Sequence, residues 1–96
     1  MMDLTDSYEP AGQDIVSEEI DGEVIIVNLR NGNYYSLTQS ATVIWSRIVR
    51  GETLEQIQGV LRRRYLGEAG VMQQGLTDLI GALETEELIR RVATES

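Results

Sequence analysis

Carboxylates are the most abundant side chains of this chain that could do chemistry. The sequence holds 16 Asp and Glu residues but no histidine and no cysteine. Paired carboxylates such as Glu86-Glu87, or the group of Asp14, Glu18 and Glu19, can in principle perform acid/base or metal chemistry. Since the commonest general base and the commonest metal ligands are missing, we interpret these carboxylates as a charged surface. We therefore expect no enzyme, no metal and no cofactor.

The formal net charge of −8 originates near the N-terminus. Eight acidic residues and no basic residue lie between Met1 and Glu23. Such a segment repels nucleic acid and anionic lipid, and it either solubilises the chain or steers a basic partner toward it. The basic cluster Arg62 to Arg64 falls at the end of a predicted helix, where cations favour the helix dipole.

No segment of the sequence has the character of a membrane span or a signal peptide. A span needs roughly 20 apolar residues in succession, and none of that kind is present. The N-terminus is acidic rather than basic and apolar. We expect a cytoplasmic protein that does not contact a membrane, and the lack of cysteine is compatible with that compartment.

Short apolar runs separated by turn residues predict a three-stranded antiparallel meander. The strands are Ile15 to Ile20, Val24 to Leu29 and Asn33 to Leu37, joined by Asp21-Gly22 and Asn31-Gly32. Both faces of the second strand are apolar. That pattern predicts a cover on its outer side, from helices, from the N-terminal arm or from an external partner.

Three helices are predicted to follow the strands. Thr38 is the expected N-cap of the first helix, and Gly51 is expected to end it. The run Thr53 to Gln56 is a capping-box pattern that opens the second helix. The third helix extends from about Gly70 to Thr85 and carries one apolar stripe. This order predicts an α+β, winged-helix-like fold, in which residues 1–13 are a mobile acidic arm, residues 14–92 the domain and residues 93–96 a tail.

The third strand is predicted to leave an open edge beside the third helix. Residues 33–37 show none of the features that normally protect an edge, which are Lys, Pro or a bulge, and strand alternation places Tyr34 and Tyr35 on opposite faces. Gly75 lies at the flank of the helix stripe and permits close approach of another backbone. Strand and helix together predict a groove for an extended peptide that joins the sheet.

The runs Gly32-x-Tyr34-Tyr35-x-Leu37, Ala41-x-x-Ile44-Trp45 and Gly51-x-Thr53 closely resemble the pyrroloquinoline-quinone synthesis protein D family in order and spacing. The resemblance implies a winged-helix-like peptide chaperone, the recognition element of pathways that modify ribosomally made peptides. Such proteins hold the leader of a precursor peptide as an added strand between the third strand and the third helix. The peptide-binding residues expected here are Asn33, Tyr34, Tyr35, Ser36, Leu37, Met72, Leu76, Leu79, Ile80 and Leu83.

The resemblance further implies a function in lasso-peptide synthesis. The chain is then a non-enzymatic protein that delivers a precursor to a leader peptidase and an ATP-dependent cyclase. Three alternatives stay open at this point. One is a chaperone of the quinone pathway that works with a radical SAM enzyme; another is a winged-helix DNA-binding regulator. The third is a module that dimerises through its open strand. Residues 66–89 contain five acidic residues and no Lys or Arg. Repulsion between these acids and the DNA phosphates therefore opposes DNA binding.

Overall fold

Three helices and two small antiparallel sheets make up the part of the chain that the structure describes. This computed structural model describes the backbone of residues 4–64 and 69–92 and the side chains of residues 4–64 and 74–92. The elements in chain order are β1 (Tyr8–Pro10), β2 (Ile15–Ile20), β3 (Glu23–Asn28), β4 (Tyr34–Leu37), α1 (Ser40–Val49), α2 (Leu54–Arg64), α3 (Ala69–Thr85) and β5 (Ile89–Arg91). Residues 93–96, predicted as a tail, lie outside the described residues.

The larger sheet is the predicted antiparallel meander, with the strand order β2-β3-β4. Ile20 pairs with Glu23 across a two-residue loop, and Asp21 and Gly22 in that loop have φ angles of 51° and 82°. Two consecutive positive φ angles are characteristic of the type I′ turn, whose twist matches that of the flanking strands. The α+β class, the three helices and this three-stranded sheet are therefore as the sequence predicts.

The smaller sheet joins the two ends of the described chain. β1 pairs with β5, and the residues before β1 donate or accept backbone hydrogen bonds further along: the carbonyl of Asp6 accepts from Leu54, and that of Ser7 accepts from Val92, both at 2.9 Å. We call residues 4–10 the N-terminal strap. The acidic composition predicts a mobile arm here, but the segment is docked, because Tyr8 supplies a large side chain that is only 5% exposed in the core.

The helix ends agree with the sequence patterns except at the start of α1. Thr53 and Gln56 form a capping box: the Thr53 N–H donates to Gln56 Oε1 at 2.8 Å, and the Gln56 N–H donates to Thr53 Oγ1 at 3.2 Å. Gly51 follows α1 with a φ of 81°, as a helix C-terminus favours. The N-cap of α1 is Gln39, with a φ of 56° and no side-chain cap bond, so the prediction of Thr38 was wrong.

The core lies between the inner face of the meander and the helices. Ile26 at the centre of β3 and Leu54 and Ile57 on α2 are fully buried. The indole N–H of Trp45 donates to Ser17 Oγ at 3.0 Å, which packs α1 under β2. The outer face of the sheet is left uncovered by the described helices and strap, since its apolar residues Val16, Ile20, Leu29 and Tyr34 are 42 to 74% exposed.

Candidate functional site

The outer edge of β4 is a row of backbone groups that no strand of the described residues pairs with. β4 pairs with β3 on one side, and no other described strand pairs with it. The N–H of Asn28 donates to the carbonyl of Asn33 at 2.9 Å, so these two residues form a hydrogen-bonded pair. In the same register, Tyr35 and Leu37 occupy the next hydrogen-bonded positions along β4. The N–H and C=O groups of Tyr34 and Ser36 therefore point to the open side, because bonded and non-bonded positions alternate in an antiparallel pair.

The side chains around this edge alternate between core and solvent. Leu37 is 8% exposed, and Tyr35 is half-buried against the core. Tyr34 is 74% exposed and Ser36 is also exposed, on the outer face. Asn33 lies in the turn before β4, where its N–H donates to Oδ1 of Asn31 at 2.9 Å. The structure thus brings the five predicted strand residues together at one uncharged edge.

The predicted residues of α3 whose side chains are described divide into three core residues and one residue with accessible surface. Leu76, Ile80 and Leu83 are 1%, 0% and 4% exposed, so they support the helix from within the core. Leu79 is half-buried and packs against the edge of that core. Met72 lies on α3, but its side chain falls outside the described residues. Leu79 is therefore the described candidate on α3 that retains surface for a ligand.

A hydrogen bond connects β4 with the end of α3. The Tyr35 hydroxyl donates to Oε2 of Glu86, the residue that follows α3, at 3.2 Å. The ring of Tyr35 consequently bridges the strand and the helix end. In the sequence, Glu86 stands out only as part of a carboxylate pair. No local pattern reveals this contact, because its two residues are 51 positions apart.

Gly75 lies on the same side of α3 as Leu79, one turn earlier. A Cβ built at Gly75 meets no heavy atom within 4 Å, and the same is true of Gly81, which lies on the opposite side of the helix. Among the described residues, nothing fills the space next to Gly75. A neighbouring chain could approach the helix backbone closely at this point.

Ion pairs and titration shifts lie mainly away from this edge. Arg90 and Arg91 pair with Glu9 and Asp6, which fastens the strap to β5. Burial raises the pKa of Tyr8 above its ordinary value, and the nearby carboxylates of Glu84 and Asp6 raise it further. Among the described residues, no group of three His, Cys, Asp or Glu side chains is arranged to hold a metal ion. None of the helices searched in the described chain has the length and apolarity needed to cross a membrane.

The comparisons with known proteins agree on one kind of protein. A family model described as coenzyme PQQ synthesis protein D (PqqD) matches residues 23–89. The structure described as "TbiB1 in Complex with the TbiA(beta) Leader Peptide" is 28% identical in sequence, with a TM-score of 0.80 over 90% of this chain and 99% of that chain. No curated protein matches the chain.

A second solved structure, "Lasso peptide synthetase B1 complexed with the leader peptide", is 18% identical. It covers 88% of this chain and 98% of its own, with a TM-score of 0.78. At this level of identity the likeness concerns the fold. In both structures the printed description names a leader peptide as the bound partner.

Proposed function

The chain belongs to the coenzyme PQQ synthesis protein D family, and from that membership and the geometry of β4 we propose that it binds the leader region of a precursor peptide as an added β-strand. The observation that carries this proposal is the open, uncharged edge of β4 beside α3. A structural relative at 28% identity is described in complex with a leader peptide. Function is carried by a site rather than by a fold, and here the site and the relatives agree.

Backbone pairing would supply the sequence-tolerant part of the affinity. The outward groups of Tyr34 and Ser36 offer donors and acceptors to an extended peptide. A disordered leader loses conformational freedom when it binds, commonly at a cost of about 2 to 5 kcal/mol. Because full burial of one large apolar side chain contributes about 1.5 to 3 kcal/mol, about two or three apolar anchors of the leader are needed to offset that ordering.

The anchors would lie between the strand and the helix. Tyr35 and Leu79 are half-buried and present apolar surface on the two sides of the proposed cleft. Asn33, Tyr34, Ser36 and Met72 complete the proposed contact surface. The buried set formed by Leu37, Leu76, Ile80 and Leu83 supports it from the core.

In this proposal the chain is a non-catalytic adaptor that presents the bound leader to the enzymes of a lasso-peptide pathway, a leader peptidase and a cyclase. The absence of histidine and cysteine from the sequence agrees with a role without chemistry of its own. The chain shares its fold with a protein described as lasso peptide synthetase B1, and the proposal of this pathway starts from that shared fold. Co-purification of the leader-bound chain with a candidate leader peptidase tests the assignment, and binding to a radical SAM enzyme in its place would contradict it.

A peptide chaperone for a radical SAM enzyme is the second candidate, because the matching family model is named for coenzyme PQQ synthesis. It shares the peptide-binding step and differs in the enzyme that receives the peptide. The same co-purification experiment therefore separates the two pathways.

Two further candidates use the same elements differently. Winged-helix proteins commonly bind DNA, but residues 66–89 of this chain contain no Lys or Arg that could bind a phosphate. A salt-sensitive shift of duplex DNA by the pure protein would favour a regulator. A tight dimer in sedimentation, without any binding of a precursor, would favour self-association through β4.

The direct test of the proposal is a calorimetric titration with the leader peptide of a candidate precursor. The remaining, non-leader part of that precursor serves as the control peptide. We expect saturable 1:1 binding of the leader and none of the control. Equal binding of both peptides, or of neither, would contradict the proposal.

A further inference from the structure

The C-terminus of α3 is closed by two crossed backbone hydrogen bonds. The Leu88 N–H donates to the carbonyl of Leu83 at 2.9 Å, and the Glu87 N–H donates to the carbonyl of Glu84 at 3.0 Å. Glu87 has a φ of 59°. This is the Schellman arrangement, with the left-handed residue one position after the C-cap. Leu83 and Leu88, the two positions that usually make the hydrophobic contact of this arrangement, are both buried in the core cluster.

The closed turn fixes the backbone of Glu86, the C-cap residue. Glu87 adopts the left-handed conformation without being glycine, a conformation that persists where surrounding contacts hold it. The strap lies next to this turn, because Pro10 of β1 pairs with Ile89 of β5, two residues after Glu87. The Glu86 carboxylate therefore projects from a fixed backbone, and its Oε2 accepts the Tyr35 hydroxyl at 3.2 Å.

We propose that Glu86 is a positioning residue of the peptide cleft: through its hydrogen bond to Tyr35 it sets where the Tyr35 ring stands between β4 and α3. This inference rests on the proposed function of the cleft. Tyr35 belongs to the edge strand β4, whereas Glu86 follows the end of α3. Their hydrogen bond therefore links the two walls of the proposed cleft. Without it, only packing against the core holds the half-buried ring in its rotamer.

The bond contributes more when a peptide is bound than when the cleft is empty. In the free protein the contact is exposed to solvent, so water competes with it. A peptide lying along β4 beside α3 excludes that water. A hydrogen bond in such a drier environment is stronger. The contribution of Glu86 therefore appears in the affinity for peptide rather than in the stability of the free chain.

The test is a double-mutant cycle on Tyr35 and Glu86, measured as affinity for the leader peptide. Tyr35→Phe removes the donor and Glu86→Ala removes the acceptor. Each is expected to weaken binding about two- to tenfold, the range for one hydrogen bond. The double variant should be no weaker than the weaker single variant, because both changes remove one interaction. Urea unfolding of the free variants should stay close to that of the wild type.

Two conservative variants make the result specific. Glu86→Gln retains an acceptor oxygen and is expected to restore most of the affinity lost in Glu86→Ala. Glu87→Gln removes the neighbouring charge without touching Tyr35 and is expected to bind as the wild type does. Strictly additive losses in the cycle, or a Glu86→Gln variant as weak as Glu86→Ala, would overturn the role of Glu86. A wild-type chain that binds no leader would overturn the proposed function together with this inference.

Discussion

The meander has two edges, and they differ in charge although both leave backbone groups unpaired. On β2 the outward groups belong to Ser17 and Glu19, since Ile20 bonds to Glu23 at the turn. Glu18 and Glu19 in this strand are exposed carboxylates, and an exposed Asp21 follows. On β4 no residue is charged.

The difference in charge between β2 and β4 indicates which edge is available to a partner. Charged residues on an edge strand discourage other chains from pairing with it, because pairing would place the charges against a desolvated backbone. The acids of β2 protect that edge, whereas β4 lacks any equivalent protection. The packing beneath the two edges also differs, since Trp45 of α1 is bonded to Ser17 under β2 and Tyr35 reaches the end of α3 at β4.

The largest effect is expected from Leu79→Glu, which places a charge in the wall of the proposed cleft. Loss of a central anchor typically costs at least about 2 kcal/mol of binding energy, or about thirtyfold in Kd. Gly81→Glu adds the same charge on the opposite side of α3, where space is open, and serves as the control. Calorimetric titration should show loss of leader binding in the first variant alone. Unchanged affinity in a folded Leu79→Glu variant would exclude α3 from the site.

A smaller effect is expected when one outward backbone donor is removed from each edge. Ser36→Pro deletes the N–H that faces the open side of β4, and Glu19→Pro deletes the matching N–H of β2. The first variant should weaken leader binding by about 1 kcal/mol, the contribution of one hydrogen bond. The second should leave the affinity unchanged. The reverse pattern in fluorescence anisotropy would move the peptide to β2.

A still smaller effect on leader affinity is expected when Gly75→Ala is compared with Gly81→Ala. Both substitutions should raise helix stability by about 0.5 to 1 kcal/mol, because glycine is unfavourable inside a helix. Only the methyl group at position 75 faces the proposed cleft, so a loss of affinity of a few-fold is expected there and none at position 81. Equal affinities of the two variants would show that the peptide does not approach the helix backbone at Gly75.

The smallest effect is expected from neutralising the protected edge. Glu18→Thr together with Glu19→Thr leaves β2 without charge within its strand. Weak, concentration-dependent self-association is expected, because the unpaired groups are then free to pair with another chain. Sedimentation velocity at rising concentration checks this, with Glu52→Thr as a control away from the sheet. A monomer at all concentrations would mean that charge does not distinguish the two edges.

The sequence predicted the local features of the fold well. The turn at Asp21-Gly22, the capping box at Thr53 and the end of α1 at Gly51 depend on residues only a few positions apart. The strap was missed because it depends on distant pairing: Glu9 of β1 bonds to Arg90 of β5, 81 positions away. The N-terminal segment is rich in acids, and that composition hid the contribution of Tyr8 to the core.

The elements that form the candidate site could be predicted from the sequence, but not which of their residues are buried. The uncharged edge of β4 was readable, because alternation and turn chemistry define it. The apolar stripe of α3 was equally readable, yet periodicity alone does not tell the buried residues Leu76 and Ile80 from the half-buried Leu79. That distinction depends on which neighbours pack against the helix, as does the contact between Tyr35 and Glu86.

Amide hydrogen exchange with and without the leader peptide tests the central claim most directly. The amides of Tyr34 and Ser36 face the open edge of β4, and those of Ser17 and Glu19 face the open edge of β2. If the leader joins the sheet at β4, saturating peptide will slow exchange at Tyr34 and Ser36 and leave Ser17 and Glu19 unchanged. Bound leader without protection at Tyr34 and Ser36, or with protection at Ser17 and Glu19 in their place, would contradict the account.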